Sequence, residues 1–153
     1  MIPAAAALLL MLWSSDGDLA ALRFDSADDA TFRISISETA GAARQIRFIC
    51  NAGCPTPIDR SEPFDDEPLG LFSRDQNDLV FALAAGGSAY RVHAWRVSRD
   101  GAVKVTQLSS RGRPEILSDE HGNAVIRTYI AESGVAPRRI VDWTYRRGQF
   151  VRR

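Results

Sequence analysis

Arg99-Asp100-Gly101 is a short polar turn closed by glycine, and it recurs as Asn51-Ala52-Gly53 and Arg146-Arg147-Gly148, so that Gly53, Gly101 and Gly148 stand 48 and 47 residues apart. Self-similarity at this period marks a repeated β supersecondary unit. Each turn fits a hairpin loop whose last residue takes positive φ, a conformation glycine adopts without a Cβ clash. A second set of turns keeps the period. Gly41 in Thr39-Ala40-Gly41-Ala42, Gly87 in Ala85-Gly86-Gly87-Ser88 and Gly134 in Ser133-Gly134-Val135-Ala136-Pro137 recur at 46 and 47 residues. Upstream of each pair of turns, a short apolar run ends in a charged turn. These are Ala21-Leu22-Arg23-Phe24 before Asp25 to Asp29, Leu69-Gly70-Leu71-Phe72 before Arg74 to Asp78, and Glu115-Ile116-Leu117 before Asp119 to Asn123.

Between the turns the chain reads as strands. Thr31 to Ser37 alternates apolar and polar residues, and a period of two puts Phe32, Ile34 and Ile36 on one face. Arg44 to Cys50, Leu79 to Ala84, Tyr90 to Val97, Ala124 to Ile130 and Arg139 to Tyr145 are rich in β-branched and aromatic residues. Beyond the N-terminal segment no window sustains an i, i+3, i+4 apolar stripe. The expected class is all-β, in three tandem antiparallel units of about four strands each, propeller-blade-like. A closed β-trefoil is the alternative, since it also holds three four-stranded units in this length. The acidic, proline-punctuated stretch Asp59 to Pro68 reads as an exposed loop between the first two units.

The 153 residues, 45% of them hydrophobic, suffice for one domain that buries roughly two-thirds of its unfolded surface. The apolar run from Ala4 to Trp13 has the length of a signal-peptide core and is too short to span a bilayer. Residues 1–17 are therefore expected to be a signal peptide, residues 18–153 a single repeat domain, and the location periplasmic or secreted. Cys50 and Cys54 flank the first glycine turn, which can bring them within disulfide range, as suits an oxidising compartment. Net charge is zero, but residues 1–80 carry 13 acids and 6 bases while residues 81–153 carry 6 acids and 13 bases. The halves are electrostatic complements that either face each other within the fold or steer self-association. Aromatics do not interleave with the arginines as a single-strand-binding motif requires, so no nucleic-acid partner is expected.

Three places offer chemistry. The charged turns gather oxygen ligands in equivalent positions, namely Asp25, Asp28 and Asp29, then Asp75, Asn77 and Asp78, then Asp119, Glu120 and Asn123. Such turns suit calcium, although Asp and Asn also favour turns through local backbone bonds. His93 lies mid-strand beside Trp95, and His121 lies in the third charged turn; neither has a spaced His or Cys companion. Asp142, between Val141 and Trp143, either sits buried with a perturbed pKa or faces outward against Arg138 or Arg96. No nucleophile elbow, phosphate loop or catalytic triad spacing accompanies them.

The third unit runs from Pro114-Glu115-Ile116-Leu117 through its acidic turn to Asn123-Ala124-Val125-Ile126. It continues to Val141-Asp142-Trp143-Thr144-Tyr145 with Gly148 and Phe150. This pattern resembles FG-GAP or VCBS-type β-propeller repeats over residues 66–153, with degenerate acidic loops. The resemblance implies an extracytoplasmic binding or adhesion-type module without enzyme activity, its loops taking calcium in the family. The expected function is accordingly an exported, non-catalytic binding module for a protein or glycan. The alternatives are a small periplasmic hydrolase using Asp142 or His93, and a lectin-like carbohydrate-binding domain. For the last, His93-Ala94-Trp95 and Val141-Asp142-Trp143 stand where the Gln-x-Trp signature of lectin trefoils would be sought.

Overall fold

The computed structural model describes residues 17–39, 43–74, 77–130 and 139–153, and no α-helix occurs among them. The first sheet contains β1 (Asp18–Asp25), β2 (Thr31–Glu38), β3 (Arg44–Ala52) and β4 (Asp59–Pro63). The second contains β5 (Glu67–Arg74), β6 (Leu79–Gly86), β7 (Ala89–Ser98) and β8 (Gly101–Ser110), and the third β9 (Glu115–Ser118), β10 (Ala124–Ile130), β11 (Arg139–Arg146) and β12 (Gln149–Arg152). Each sheet is an antiparallel meander in which strands pair in chain order. The repeat read from the glycines is thus the structural unit. The closed trefoil is not formed, because the four strands of every unit pair only within their own open sheet.

The glycines do what the turns demand. Gly53, Gly101 and Gly148 have φ of 83°, 129° and 79°, each at the junction of the third and fourth strands of its sheet. Arg147 joins Gly148 at positive φ, so the two-residue β11–β12 loop has the primed geometry whose twist matches the flanking strands. At Gly53 a Cβ would also run into the backbone of Asp29 and Ala30, which holds this hairpin against the β1–β2 turn. Cys50 and Cys54 place their sulfurs 2.05 Å apart, at disulfide distance, across the same loop.

The sheets stack, and the second lies in the middle. Strand β6, Leu79-Val80-Phe81-Ala82-Leu83-Ala84, is apolar at every position because both of its faces are covered. Val80, Ala82 and Ala84 join Phe32, Ile34, Ile36, Ile46 and Phe48 of the first sheet in one core. Leu79, Phe81 and Leu83 join Ala124, Ile126 and Tyr145 of the third sheet in the other. Period two therefore feeds two cores from one strand. The turns seal the stack at one end, where the Ala27 amide donates to Asp78 (2.8 Å), the Arg99 amide to Asp28 (3.1 Å) and the Ala124 amide to Asn77 (3.3 Å). At the opposite end the Arg111 amide donates to the Tyr129 carbonyl (2.8 Å), tying the second sheet to the third.

The stretch from Asp59 to Pro68 is not an exposed loop. Residues Asp59–Pro63 form β4, paired with β3 from Ile49↔Asp59 to Gln45↔Pro63, and the link that follows buries Phe64 and Asp66. A polar strand ending in proline is tolerated here because β4 is the sheet's edge, where one side of the backbone has no strand to serve.

Candidate functional site

A concavity of about 540 Å³ opens beside the link between the second and third sheets and is lined by Gly112, Arg113, Pro114, Glu115, Tyr129 and Ile140. A buried hydroxyl anchors the link that lines it. Ser110 donates to the Gly112 carbonyl (2.6 Å) and accepts from the Tyr129 amide (2.9 Å), so the link is pinned to β10 immediately after β8 ends. The Tyr129 hydroxyl donates to Glu115 (2.6 Å), which raises its pKa and keeps it protonated. Ile140, opposite Tyr129 in the register, leaves 52% of its surface in solvent, as an apolar contact for a partner would. Hollows of 280 and 270 Å³ continue the groove on either side, the first sharing Arg113 and Pro114, the second Tyr129. The arginines at this end point to anionic chemistry: Arg111, Arg113 and Arg139 are all exposed, and none forms an ion pair among the described residues.

The histidine expectations divide. His121 is an exposed turn residue whose imidazole stands 3.5 Å from Glu120. His93 is buried between the first and second sheets, stacked on Trp95 and packed against Phe64. Its Nε2 lies 2.9 Å from the buried Asp66 carboxylate, which also accepts from Arg91, while its Nδ1 lies 3.1 Å from Lys104 Nζ. Lys104 donates in addition to Gln107 (2.9 Å) and approaches the Trp95 ring. Desolvation pushes the His93 pKa below the usual imidazole value, outweighing the Asp66 bond that raises it. With Nε2–H donated to Asp66, a neutral imidazole offers its Nδ1 lone pair to the ammonium, and every partner is satisfied. None of the described cavities is lined by His93, Asp66 or Lys104.

Asp142 faces outward on the third sheet. It receives Arg127 in a bidentate pair at 2.9 and 3.1 Å, directly across in register, and this bond holds its carboxyl below the usual range. The partner is thus Arg127 rather than Arg96, and Arg138 lies outside the described residues. His93 and Asp142 are on different sheets, in separate networks.

The charged turns use their oxygens on the protein itself. Asp28 binds Ser26 and the Arg99 amide, Asp78 the Ala27 amide, and Asn77 the Ala124 amide. Asp119 accepts from the amides of His121 (2.9 Å) and Asn123 (2.8 Å) and from the Asn123 side chain (3.2 Å). Glu120 is exposed beside it. Among the described residues no three His, Cys, Asp or Glu side chains converge as a metal site, and Asp75 lies outside those residues, as does the N-terminal apolar run.

Asp66, Arg91, Lys104, Arg113 and Tyr129 carried no local signal in the sequence. Asp66 and His93 are 27 residues apart, and the pairing of β5, β6 and β7 in the second sheet brings the residue just before β5 next to β7. Lys104 could have been singled out as the chain's one lysine. Comparison with protein-family models, curated proteins and solved structures found no match to any of them.

Proposed function

We propose that the chain is an exported, non-catalytic interaction module that receives a partner in the groove beside the link from its second sheet to its third, on the outer face of the third sheet. The observation that carries this reading is the groove itself, which combines an exposed apolar wall (Ile140), an aromatic ring (Tyr129) and an exposed arginine, Arg113, without an ion-pair partner among the described residues. That mixture is the one interaction surfaces favour. The sulfurs of Cys50 and Cys54 at disulfide distance and the apolar N-terminal run both support an oxidising, extracytoplasmic setting. The resemblance of residues 66–153 to propeller repeats points the same way. The titratable residues that a hydrolase would use are committed elsewhere: Asp142 to Arg127, and His93 to Asp66 in the interior.

A hydrolase on His93 has one observation in its favour, the hydrogen-bonded Asp66–His93–Lys104 series, but a substrate needs a cleft at its atoms. Site-specific photo-crosslinking in the native cell envelope tests the module. A crosslinker at Ile140 or Arg113 is expected to capture a discrete partner, and one at Arg33 on the outer face of the first sheet is not. Equal capture from both faces, or none from the groove, would overturn the reading.

A further inference from the structure

We infer that the partner in this groove is a second copy of the chain, joined end to end about a twofold axis; the inference rests on the groove being an interaction site. The charge asymmetry of the sequence takes the form of two separate patches at the end of the stack where the groove lies. Over the first sheet and its link to the second, this end carries Glu38, Asp65 and Glu67, all exposed and without an ion pair among the described residues. Arg44 lies beside them but donates to the Asp65 carbonyl rather than to a carboxylate. Over the link between the second and third sheets, the same end carries Arg111, Arg113 and Arg139, of which Arg111 reaches only the Ser88 hydroxyl. Glu115, the acid among them, is bound by Tyr129.

Acidic and basic patches therefore lie side by side on one surface, separated by the thickness of the sheet packing, roughly 10–20 Å. A surface of this kind is its own complement. Rotation by 180° about an axis between the patches lays the acids of each copy on the arginines of the other, making two identical contacts at once. A head-to-tail arrangement would instead offer the arginines the opposite end, where Asp28 and Asp78 are already bound by the chain's own amides. The axis would pass near the β6–β7 turn, where Gly87 has open space around its missing side chain and leaves the two ends free to approach. Burying the exposed Ile140 wall of the groove adds an apolar contribution to the charge match.

The interface is small and charged, so it is expected to be weak and salt-sensitive. Sedimentation equilibrium of the purified protein, at concentrations up to about 200 μM, tests it. In about 20 mM salt the mass is expected to rise toward twice the monomer's, and in about 500 mM salt to return to it. R113E/R139E and D65R/E67R are each expected to stay monomeric in low salt, while an equimolar mixture of the two forms a heterodimer. All four positions are exposed, and unchanged thermal unfolding of each variant confirms that the fold is kept. A wild type that stays monomeric in low salt, a dimer indifferent to both reversals, or a mixture that fails to pair would each overturn the inference. If the wild type is monomeric while Ile140 crosslinks a different partner in the envelope, the second copy is refuted and the interaction module stands. If neither occurs, both fall.

Discussion

Asp66, in the link that leaves the first sheet, binds Arg91 and His93 of β7, and its surroundings make the protonation of His93 a matter of stability. The groups facing His93 are Asp66, Arg91, Lys104 and Gln107, with Phe64 and Trp95 covering its ring. Because burial lowers its pKa in the fold, the unfolded chain takes up a proton first as the pH falls. The contribution is present above the unfolded value of about 6.5 and is lost as the pH falls through the lower folded one. Unfolding midpoints in denaturant should therefore drop across that window for the wild type, and H93Q should flatten the drop. A midpoint that rises on acidification would show that the Asp66 attraction outweighs desolvation. Gly53 is a second residue-level constraint, since φ of 83° and the nearby Asp29 backbone both exclude a side chain. G53V is expected to cost about 3 kcal/mol in chemical denaturation, combining a strained φ with a backbone clash. Gly53 was legible in the sequence because the demand for positive φ is local. The Asp66 network was not, because its members come from a link and two strands distant along the chain.

Among the elements, β6 and β4 show what period two can and cannot say. In β2, polar residues alternate with Phe32, Ile34 and Ile36, so its buried face was visible from the sequence. The unbroken run in β6 marked a strand but left open what it faced; its reason is the sheet that covers each side. Strand β4 was hidden because Asp59, Glu62 and Pro63 carry the composition of a loop, and its pairing with β3 comes from the hairpin that the Cys50–Cys54 loop closes. That ring is short, so the chain-entropy estimate for C50S/C54S is about 2 kcal/mol. The loss is expected to concentrate locally. Amide hydrogen exchange should accelerate in residues 51–58 and in β4 well beyond its change in β6. Uniform acceleration across both would instead assign the bridge a global role.

At the scale of the molecule, the two cores are coupled because residues of the same strand, β6, enter both. Trp95 reports on the core between the first and second sheets and Trp143 on that between the second and third. Single-tryptophan variants should therefore unfold with coincident midpoints, and F81A should lower both midpoints together, with a loss of about 3–5 kcal/mol in unfolding free energy. Separate midpoints would show that the third sheet melts independently. The repeat, its strand count and its turn conformations were written in the chain alone, because glycine φ and side-chain alternation act over a few residues. Which faces meet, why Asp142 turns outward to Arg127, and how sequence-distant charges become two patches on one end depended on stacking. Packing joins residues by proximity in space, and no local pattern encodes a neighbour that lies dozens of residues away.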